Sequence, residues 1–135
     1  MVKRGYGFTL IELILVVAIV TTLALIVIPS YSKFKAKSIS KEAVSNLRLL
    51  AAAERLYKVE NNFYATCSCV NSGDCGAAAT GCNSLLRLML NTNNWLYTVT
   101  GNTSAVTATA TSGGCVYSIS SSNFDLEPQK SGGCP

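Results

Sequence analysis

A run of apolar residues, positions 8–28, dominates the start of this 135-residue chain and contains one acid, Glu12. As a helix rising 1.5 Å per residue, the run would extend about 30 Å, which is the thickness of a bilayer core. A charge placed in hydrocarbon costs on the order of 3 kcal/mol or more, so an acid there usually has a function and a partner. The run therefore predicts a membrane-spanning helix in which Glu12 is functional.

A short basic leader, positions 1–7, precedes the apolar run and ends in Gly7. A cleavable secretory signal has a shorter apolar core and small residues after it, whereas here the small residue comes first. The sequence KRGYGFTLIEL at positions 3–13 resembles the processing site of type IV prepilins and of the related pseudopilins of type II secretion. The residues themselves are similar over positions 3–31, and beyond these positions only the overall architecture is similar.

The resemblance implies a role for each residue of this site. A membrane-embedded prepilin peptidase would cleave after Gly7 on the cytoplasmic face and methylate the new amino terminus, Phe8. Glu12 would then attract the Phe8 amine of the next subunit, so that each charge buried in an apolar filament core has a partner. The alternative is an ordinary signal anchor, in which Glu12 lies near the membrane interface.

The basic residues leave the membrane orientation open. The leader offers Lys3 and Arg4, while the far side of the run offers Lys33, Lys35, Lys37 and Lys41. The processing motif and the cysteines favour a cytoplasmic leader, with everything after Pro29 outside. Loss of the leader lowers the net charge from +4 to +2, so nucleic acid stays open as a partner but is not indicated. The lysine cluster is better explained as a solvated helix face.

The helix is expected to continue beyond the apolar run to about position 61. Apolar residues recur there at multiples of three to four positions, namely Ile39, Ala43, Leu47, Leu50 and Tyr57. Pro29 is expected to kink this helix of about 52 residues, and Thr21 and Thr22, whose hydroxyls can bond back to the backbone, are expected to loosen the preceding turns. Glu54 and Lys58 are expected to form an i,i+4 ion pair.

Six cysteines support the part of the chain that follows the helix. They are Cys67, Cys69, Cys75, Cys82, Cys115 and Cys134. Their even number predicts disulfides in an oxidising compartment, because a domain of about 75 residues has a marginal core. The connectivity stays open among 15 arrangements, with Cys115–Cys134 preferred. A zinc site is disfavoured because the chain has no His and no C-x-x-C sequence.

Three segments have β character, at positions 95–100, 105–111 and 115–120. Alternation of apolar and hydroxyl residues in the second segment predicts a sheet with one buried face, packed on the outer half of the helix. A short helix is expected at 85–90 within an irregular region, 63–94. The tail, 123–135, is expected to be a loop held by Cys134.

No catalytic constellation is present in the sequence. The usual general base is missing because the chain has no His, and no acids are spaced to work together. The loop acids Asp74, Asp125 and Glu127 could bind Ca²⁺, but solvated acids explain them better because EF-hand spacing is absent. We therefore expect no enzyme, no catalytic residue, no metal site and no cofactor.

The resemblance and the patterns together predict an α+β chain with the type IV pilin fold: one long N-terminal helix packed on a small antiparallel sheet with a disulfide-tied loop region. The expected parts are a cleaved leader (1–7), a transmembrane or filament-core helix (8–29), an amphipathic helix half (30–61) and a globular region (62–135). The expected product is a homo-oligomeric helical filament.

The function that the resemblance implies is that of a major pilin. The subunit would be held in the bacterial inner membrane, processed by prepilin peptidase, and assembled by a platform and ATPases into a surface pilus for adhesion, twitching or DNA uptake. The alternative is a pseudopilin of a type II secretion system. A monomeric membrane-anchored binding module, which belongs to another class, would need neither Gly7 nor Glu12.

Overall fold

A long helix, α1 (Leu10–Asn61), is the first element of the chain. The computed structural model describes residues 8–69 and 81–134, apart from the side chains of residues 26–30. The 52 residues of α1 match the expected length. The helix ends where Asn62 takes a left-handed φ of 64° and its N–H donates to the Lys58 carbonyl at 2.8 Å. The expected end of the helix is thus confirmed.

The chain divides into two compact units, residues 1–36 and 37–135. In the described part of the first unit, residues 10–36 are helical. The second unit contains the last 25 residues of α1 and all the elements that follow. The backbone at position 29 is helical, and a kink at Pro29 stays a prediction.

The second unit contains an antiparallel meander in which each strand pairs with the next. The strands are β1 (Cys67–Ser68), β2 (Leu96–Gly101), β3 (Val106–Ser112), β4 (Cys115–Ser120) and β5 (Gln129–Gly132), and a short helix, α2 (Cys82–Leu85), lies between β1 and β2. Strands β2, β3 and β4 match the three predicted segments to within one residue. The expected α+β class is therefore confirmed.

Two local predictions are wrong. The helix expected at 85–90 lies instead at Cys82–Leu85, because Arg87 takes a left-handed φ of 55°. The Asn83 side chain then binds both the N–H and the C=O of Leu90, at 2.8 and 3.1 Å. The tail is not all loop, because Gln129–Gly132 pairs with β4 as a fifth strand.

One face of α1 and the inner face of the sheet form the core of the second unit. Leu47 and Leu50 of α1 are fully buried in the same cluster as Ala108 and Ala110 of β3. The alternating threonines of β3 are partly or fully exposed, as the pattern predicted. Alanine on the central strand leaves room for the leucines of the helix, so the helix and sheet bury each other's apolar surface.

Two hydrogen bonds join the helix to the sheet side of this core. The Asn46 amide donates to the Tyr97 hydroxyl at 2.7 Å, and the Trp95 indole N–H donates to the Ile39 carbonyl at 2.8 Å. Both rings are almost completely buried, so each polar group needs such a partner. These bonds fix the position of the sheet on the helix.

The turn between β3 and β4 consists of Gly113 and Gly114. Both have positive φ, 54° and 84°, which is the geometry of a two-residue type I′ hairpin and is accessible to glycine without strain. The turn pairs Ser112 with Cys115 and so sets the register of the hairpin. It also places Cys115 at the start of β4, within reach of the tail.

Candidate assembly site

The two residues predicted to be processed, Gly7 and Phe8, lie at the edge of the described part of the chain. Gly7 lies outside the described residues. Phe8 precedes the first turn of α1, and 72 % of its surface is exposed. An exposed residue in front of a helix is accessible to an enzyme acting on the chain, as the predicted methylation of Phe8 would require.

Thr9 and Glu12 together begin α1. The Thr9 carbonyl accepts from the N–H groups of Glu12 and Leu13 at 3.1 and 3.2 Å. The Thr9 hydroxyl accepts from the Glu12 N–H at 3.4 Å and donates to the Glu12 carboxylate at 3.5 Å. This pattern resembles a capping box, in which Thr and Glu three residues apart satisfy the open end of a helix. The spacing Thr-x-x-Glu is the sequence signal of such a cap, and it was not among the predictions from the sequence.

The side chains around Glu12 are apolar on every side of the helix and are exposed. They are Leu10, Ile11, Leu13, Ile14, Leu15, Val16, Val17, Ile19, Val20, Leu23 and Leu25, with exposures from 47 to 77 %. A helix that is apolar all round is buried in lipid or in a protein core. This segment therefore needs an apolar environment that the chain itself does not supply among the described residues.

Two hydroxyls in this segment bond back to the helix backbone. The Thr21 hydroxyl donates to the carbonyls of Val17 and Ala18, each at 2.9 Å, and the Thr22 hydroxyl donates to the Ile19 carbonyl at 2.8 Å. The back-bonds are present, while the backbone around both threonines is helical, so the expected loosening of these turns is not seen. Back-bonding removes the polar groups of both threonines from the apolar surface, so this surface can be buried without an unpaired donor.

No helix among the described residues has both the length and the apolar character needed to cross a membrane.

On the second unit, two arginines of α1 bind the acids that follow β4. Arg55 contacts Asp125 at 2.7 Å, and Arg48 forms an ion pair with Glu127. The guanidinium of Arg55 also lies 5.2 Å from the ring centre of Phe124. Asp125 and Glu127 are largely exposed, in agreement with the interpretation as solvated acids, and each also has an ion-pair partner on the helix. Asp74 lies outside the described residues.

Glu54 is buried and does not form the expected ion pair with Lys58. Its carboxylate accepts from the Ala65 N–H at 2.9 Å, and the Lys58 ammonium lies 4.3 Å from the centre of the Tyr64 ring. Burial raises the pKa of Glu54, and the Ala65 hydrogen bond lowers it in part. The second carboxylate oxygen has no hydrogen-bond partner among the described residues. The prediction of the Glu54–Lys58 pair was wrong because tertiary burial outweighs the weak i,i+4 attraction.

The disulfides tie the loop region to the sheet. Cys67 of β1 binds Cys82 of α2, and Cys115 of β4 binds Cys134 in the tail, as preferred from the sequence. Cys69 is also disulfide-bonded, and Cys75 lies outside the described residues. Across residues 8–69 and 81–134, no group of three or more His, Cys, Asp or Glu residues is placed to hold a metal ion.

Comparison with known proteins finds both relatives that the sequence suggested. Residues 3–28 match the Prokaryotic N-terminal methylation motif. Over 61 residues, the chain is 48 % identical to the Type IV major pilin protein PilA of Myxococcus xanthus, a match covering 45 % of this chain and 28 % of that protein. Over 64 residues, it is 39 % identical to the Type II secretion system core protein G of Aeromonas hydrophila, covering 47 % of this chain and 45 % of that protein.

A second core protein G, from Pectobacterium carotovorum subsp. carotovorum, is 39 % identical over 61 residues, which are 45 % of this chain and 39 % of that protein. The chain thus spans less than half the length of these relatives. No solved structure matches the chain. The resemblance predicted from the residues around Gly7 and Glu12 is confirmed: the chain carries the Prokaryotic N-terminal methylation motif and is similar both to a type IV major pilin and to type II secretion core protein G.

Proposed function

We propose that this chain is the structural subunit, or major pilin, of a type IV pilus. Prepilin peptidase cleaves it after Gly7 and methylates Phe8. Residues 8–29 hold the precursor in the bacterial inner membrane and later form the core of a helical surface filament. The assembly platform and its ATPases move the subunit from the membrane into the filament.

One observation carries this proposal: the apolar residues of α1 between Phe8 and Leu25 are exposed on every side of the helix. Such a surface is stable in lipid or in a bundle of identical helices. A contact that repeats by a rotation that does not close generates a helical filament. The subunit can therefore leave the membrane only into another apolar environment, which a growing filament provides.

Glu12 has a specific role in this proposal. Its carboxylate lies in the first turn of α1, four residues after Phe8, and belongs to an exposed residue. In the filament, the free amine of Phe8 from the next subunit pairs with this carboxylate. The pair cancels two charges that would each be costly in an apolar core.

Imaging of sheared surface material tests the filament role. The expected result is fibres whose mass spectrum contains this chain beginning at N-methylated Phe8, and none from cells expressing a Gly7→Leu variant. A chain that stays in the membrane fraction, with no fibre containing it, would contradict the proposal.

The second candidate is a pseudopilin that forms a short periplasmic filament in type II secretion. It is favoured by the matches to core protein G. The match covers 45 % of the length of core protein G from Aeromonas hydrophila but only 28 % of the length of the Myxococcus xanthus pilin. Gene deletion separates the two functions. Loss of surface fibres with normal protein secretion supports the pilus, whereas loss of secreted proteins from the culture medium supports the pseudopilus.

A further inference from the structure

A cavity of about 530 Å³ opens on the second unit, between α1 and the sheet. Its helix side carries the cations Lys37, Lys41 and Arg48, and its sheet side carries Tyr117 of β4 and, after it, Glu127. All these residues belong to the unit formed by residues 37–135. Its volume is within the usual range for a site that binds a small molecule, about 300 to 1,000 Å³.

The three cations lie on one face of the helix. Lys41 follows Lys37 by four residues and Arg48 follows Lys41 by seven, spacings that return to the same side at 3.6 residues per turn. Glu127 is the one acid of the lining and already pairs with Arg48. The lining therefore has a net charge of +2, which an anion with two negative charges would balance.

Hydroxyl groups complete the lining. Ser40, Ser45 and Tyr117 all contribute to the cavity wall. Tyr117 as a whole residue is 6 % exposed. A hydroxyl beside cations is a donor for an anionic oxygen, and Arg and Lys are the side chains that most often bind phosphate.

We propose that this cavity binds the phosphate monoester of a small hydroxylated molecule. The phosphate contacts Lys41 and Arg48, and Glu127 leaves Arg48 when the ligand enters. Replacing Glu127 by the phosphate as the partner of Arg48 costs little. The side chains of Arg48 and Glu127 are both at least half exposed, and an ion pair between exposed side chains contributes little to stability. This site would exist in a pilin or a pseudopilin alike, so it does not depend on the proposed function.

A plain solvated lysine face explains the observations less well. Lys33 and Lys35 belong to the same sequence cluster but do not line the cavity, whereas Lys37 and Lys41 do. Arg48, Ser45 and Tyr117 join them from outside the cluster. Hydrogen-bond donors from the helix and from the sheet thus line the same cavity, whereas a run of lysines on one helix would supply donors from the helix alone.

Amide NMR of the full mature chain in a non-ionic detergent tests the site. Sodium phosphate and glycerol 3-phosphate are titrated at constant ionic strength, with sodium chloride as the reference. We expect saturable shifts at Lys41, Ser45 and Tyr117 with both phosphates and none with chloride. Shifts that rise without saturation, or that chloride reproduces, would overturn the proposal.

Charge variants separate a specific site from a general charge effect. Lys41→Gln is expected to weaken glycerol 3-phosphate binding about tenfold, as loss of a charge-assisted hydrogen bond does. Lys33→Gln removes the same charge from an exposed lysine of α1 that does not line the cavity, and should leave the affinity unchanged. Glu127→Gln should strengthen binding several-fold because it releases Arg48. Equal losses in Lys41→Gln and Lys33→Gln, or no gain in Glu127→Gln, would contradict the assignment. Unchanged spectra elsewhere would show that each variant is folded.

Nanodiscs identify the source of the phosphate. In discs of phosphatidylcholine alone, soluble glycerol 3-phosphate should shift the cavity amides. If discs containing phosphatidic acid produce these shifts without any soluble ligand, the ligand is a lipid headgroup; if they do not, it is a soluble phosphate ester. Absence of the shifts under both conditions would refute the site.

Discussion

The carboxylate of Glu54 accepts a hydrogen bond of 2.9 Å from the backbone N–H of Ala65, just before β1 begins. Glu54 is completely buried and its other oxygen has no hydrogen-bond partner among the described residues. A single hydrogen bond thus satisfies the N–H of a buried loop residue at the expense of burying a carboxylate. The chain leaves the helix and returns to the sheet at a fixed place because of this contact.

This contact predicts a specific dependence of stability on pH. Burial raises the pKa of Glu54 above its ordinary value of 4.5, so the folded state holds the proton more tightly than the unfolded chain. The stability gained from this group is complete below the unfolded pKa and is lost as pH rises through the raised pKa. We expect Glu54→Gln, which keeps a carbonyl acceptor for Ala65, to increase the melting temperature at pH 7 and to lose this advantage towards pH 4.5.

Thermal unfolding of the mature chain in detergent from pH 4 to 8 measures this difference. Glu60→Gln is the matched control, because Glu60 is an exposed acid on the same helix. A third variant, Glu54→Leu, leaves the Ala65 N–H unpaired and should reduce the unfolding free energy by about 1 to 3 kcal/mol. Equal pH profiles for wild type and Glu54→Gln would show that the carboxylate does not titrate differently in the folded state.

The role of Glu54 was beyond the reach of sequence patterns. An i,i+4 spacing predicts an ion pair from local geometry alone, whereas burial depends on the loop that covers the residue. The partners of Arg48 and Arg55 are similarly remote, at separations of 79 and 70 residues. Local periodicity predicts which face of a helix is buried, but it carries no information about which acid the folded chain brings to that face.

The second prediction separates the helix-capping contact of Glu12 from its proposed pairing with the Phe8 amine. Glu12→Gln keeps a capping-box residue but removes the charge, whereas Glu12→Ala removes both. Membrane insertion should remain intact in both variants, since loss of a charge lowers the insertion cost. We expect both to lose fibres to a similar extent, because the Phe8 amine is then unpaired in the filament core.

Counts of sheared fibres, normalised to membrane-inserted subunit, measure this loss. Thr9→Val is the complementary control, because it removes the capping hydroxyl and keeps the Glu12 charge. Thr9→Val should therefore assemble much better than Glu12→Gln. If Glu12→Gln assembled like wild type while Glu12→Ala and Thr9→Val failed, helix capping rather than charge pairing would be the function of Glu12.

The third prediction concerns the amino terminus. Mass spectrometry of the N-terminal peptide from assembled protein should show N-methylated Phe8. A Gly7→Ala chain should be processed more slowly than wild type, and a Gly7→Leu chain should stay as precursor. Detection of Met1 or Lys3 in assembled fibres would contradict cleavage after Gly7.

The sheet shows where prediction from sequence succeeds and where it fails. Strand β3 was found because Val106, Ala108 and Ala110 alternate with threonines, and alternation is a local property of a half-buried strand. Strand β5, Gln129–Gly132, has no apolar alternation and is exposed throughout. It forms because β4 offers an unpaired edge and the Cys115–Cys134 disulfide holds the tail beside it. Neither cause is visible in the four residues themselves.

The last prediction therefore distinguishes the two assigned disulfides. The Cys115–Cys134 bond spans 19 residues and the Cys67–Cys82 bond spans 15, so their effects on unfolded-chain entropy are similar. Replacing either pair by serine should lower the unfolding free energy of the second unit by about 3 kcal/mol. Only the Cys115→Ser, Cys134→Ser chain should also lose hydrogen-exchange protection in β5, because the Cys115–Cys134 bond, unlike Cys67–Cys82, holds the tail beside β4.

Hydrogen exchange at residues 129–132, with β3 amides as the internal reference, measures the local effect. Reduction of wild-type fibres should likewise loosen the filament surface before its core, because residues 8–28 contain no cysteine. Alkylation under native, non-reducing conditions should modify no cysteine. Equal loss of β5 protection in both serine pairs would mean that β5 is held by general stability and not by its disulfide, and immediate dissolution of reduced fibres would show that core and surface are not independent.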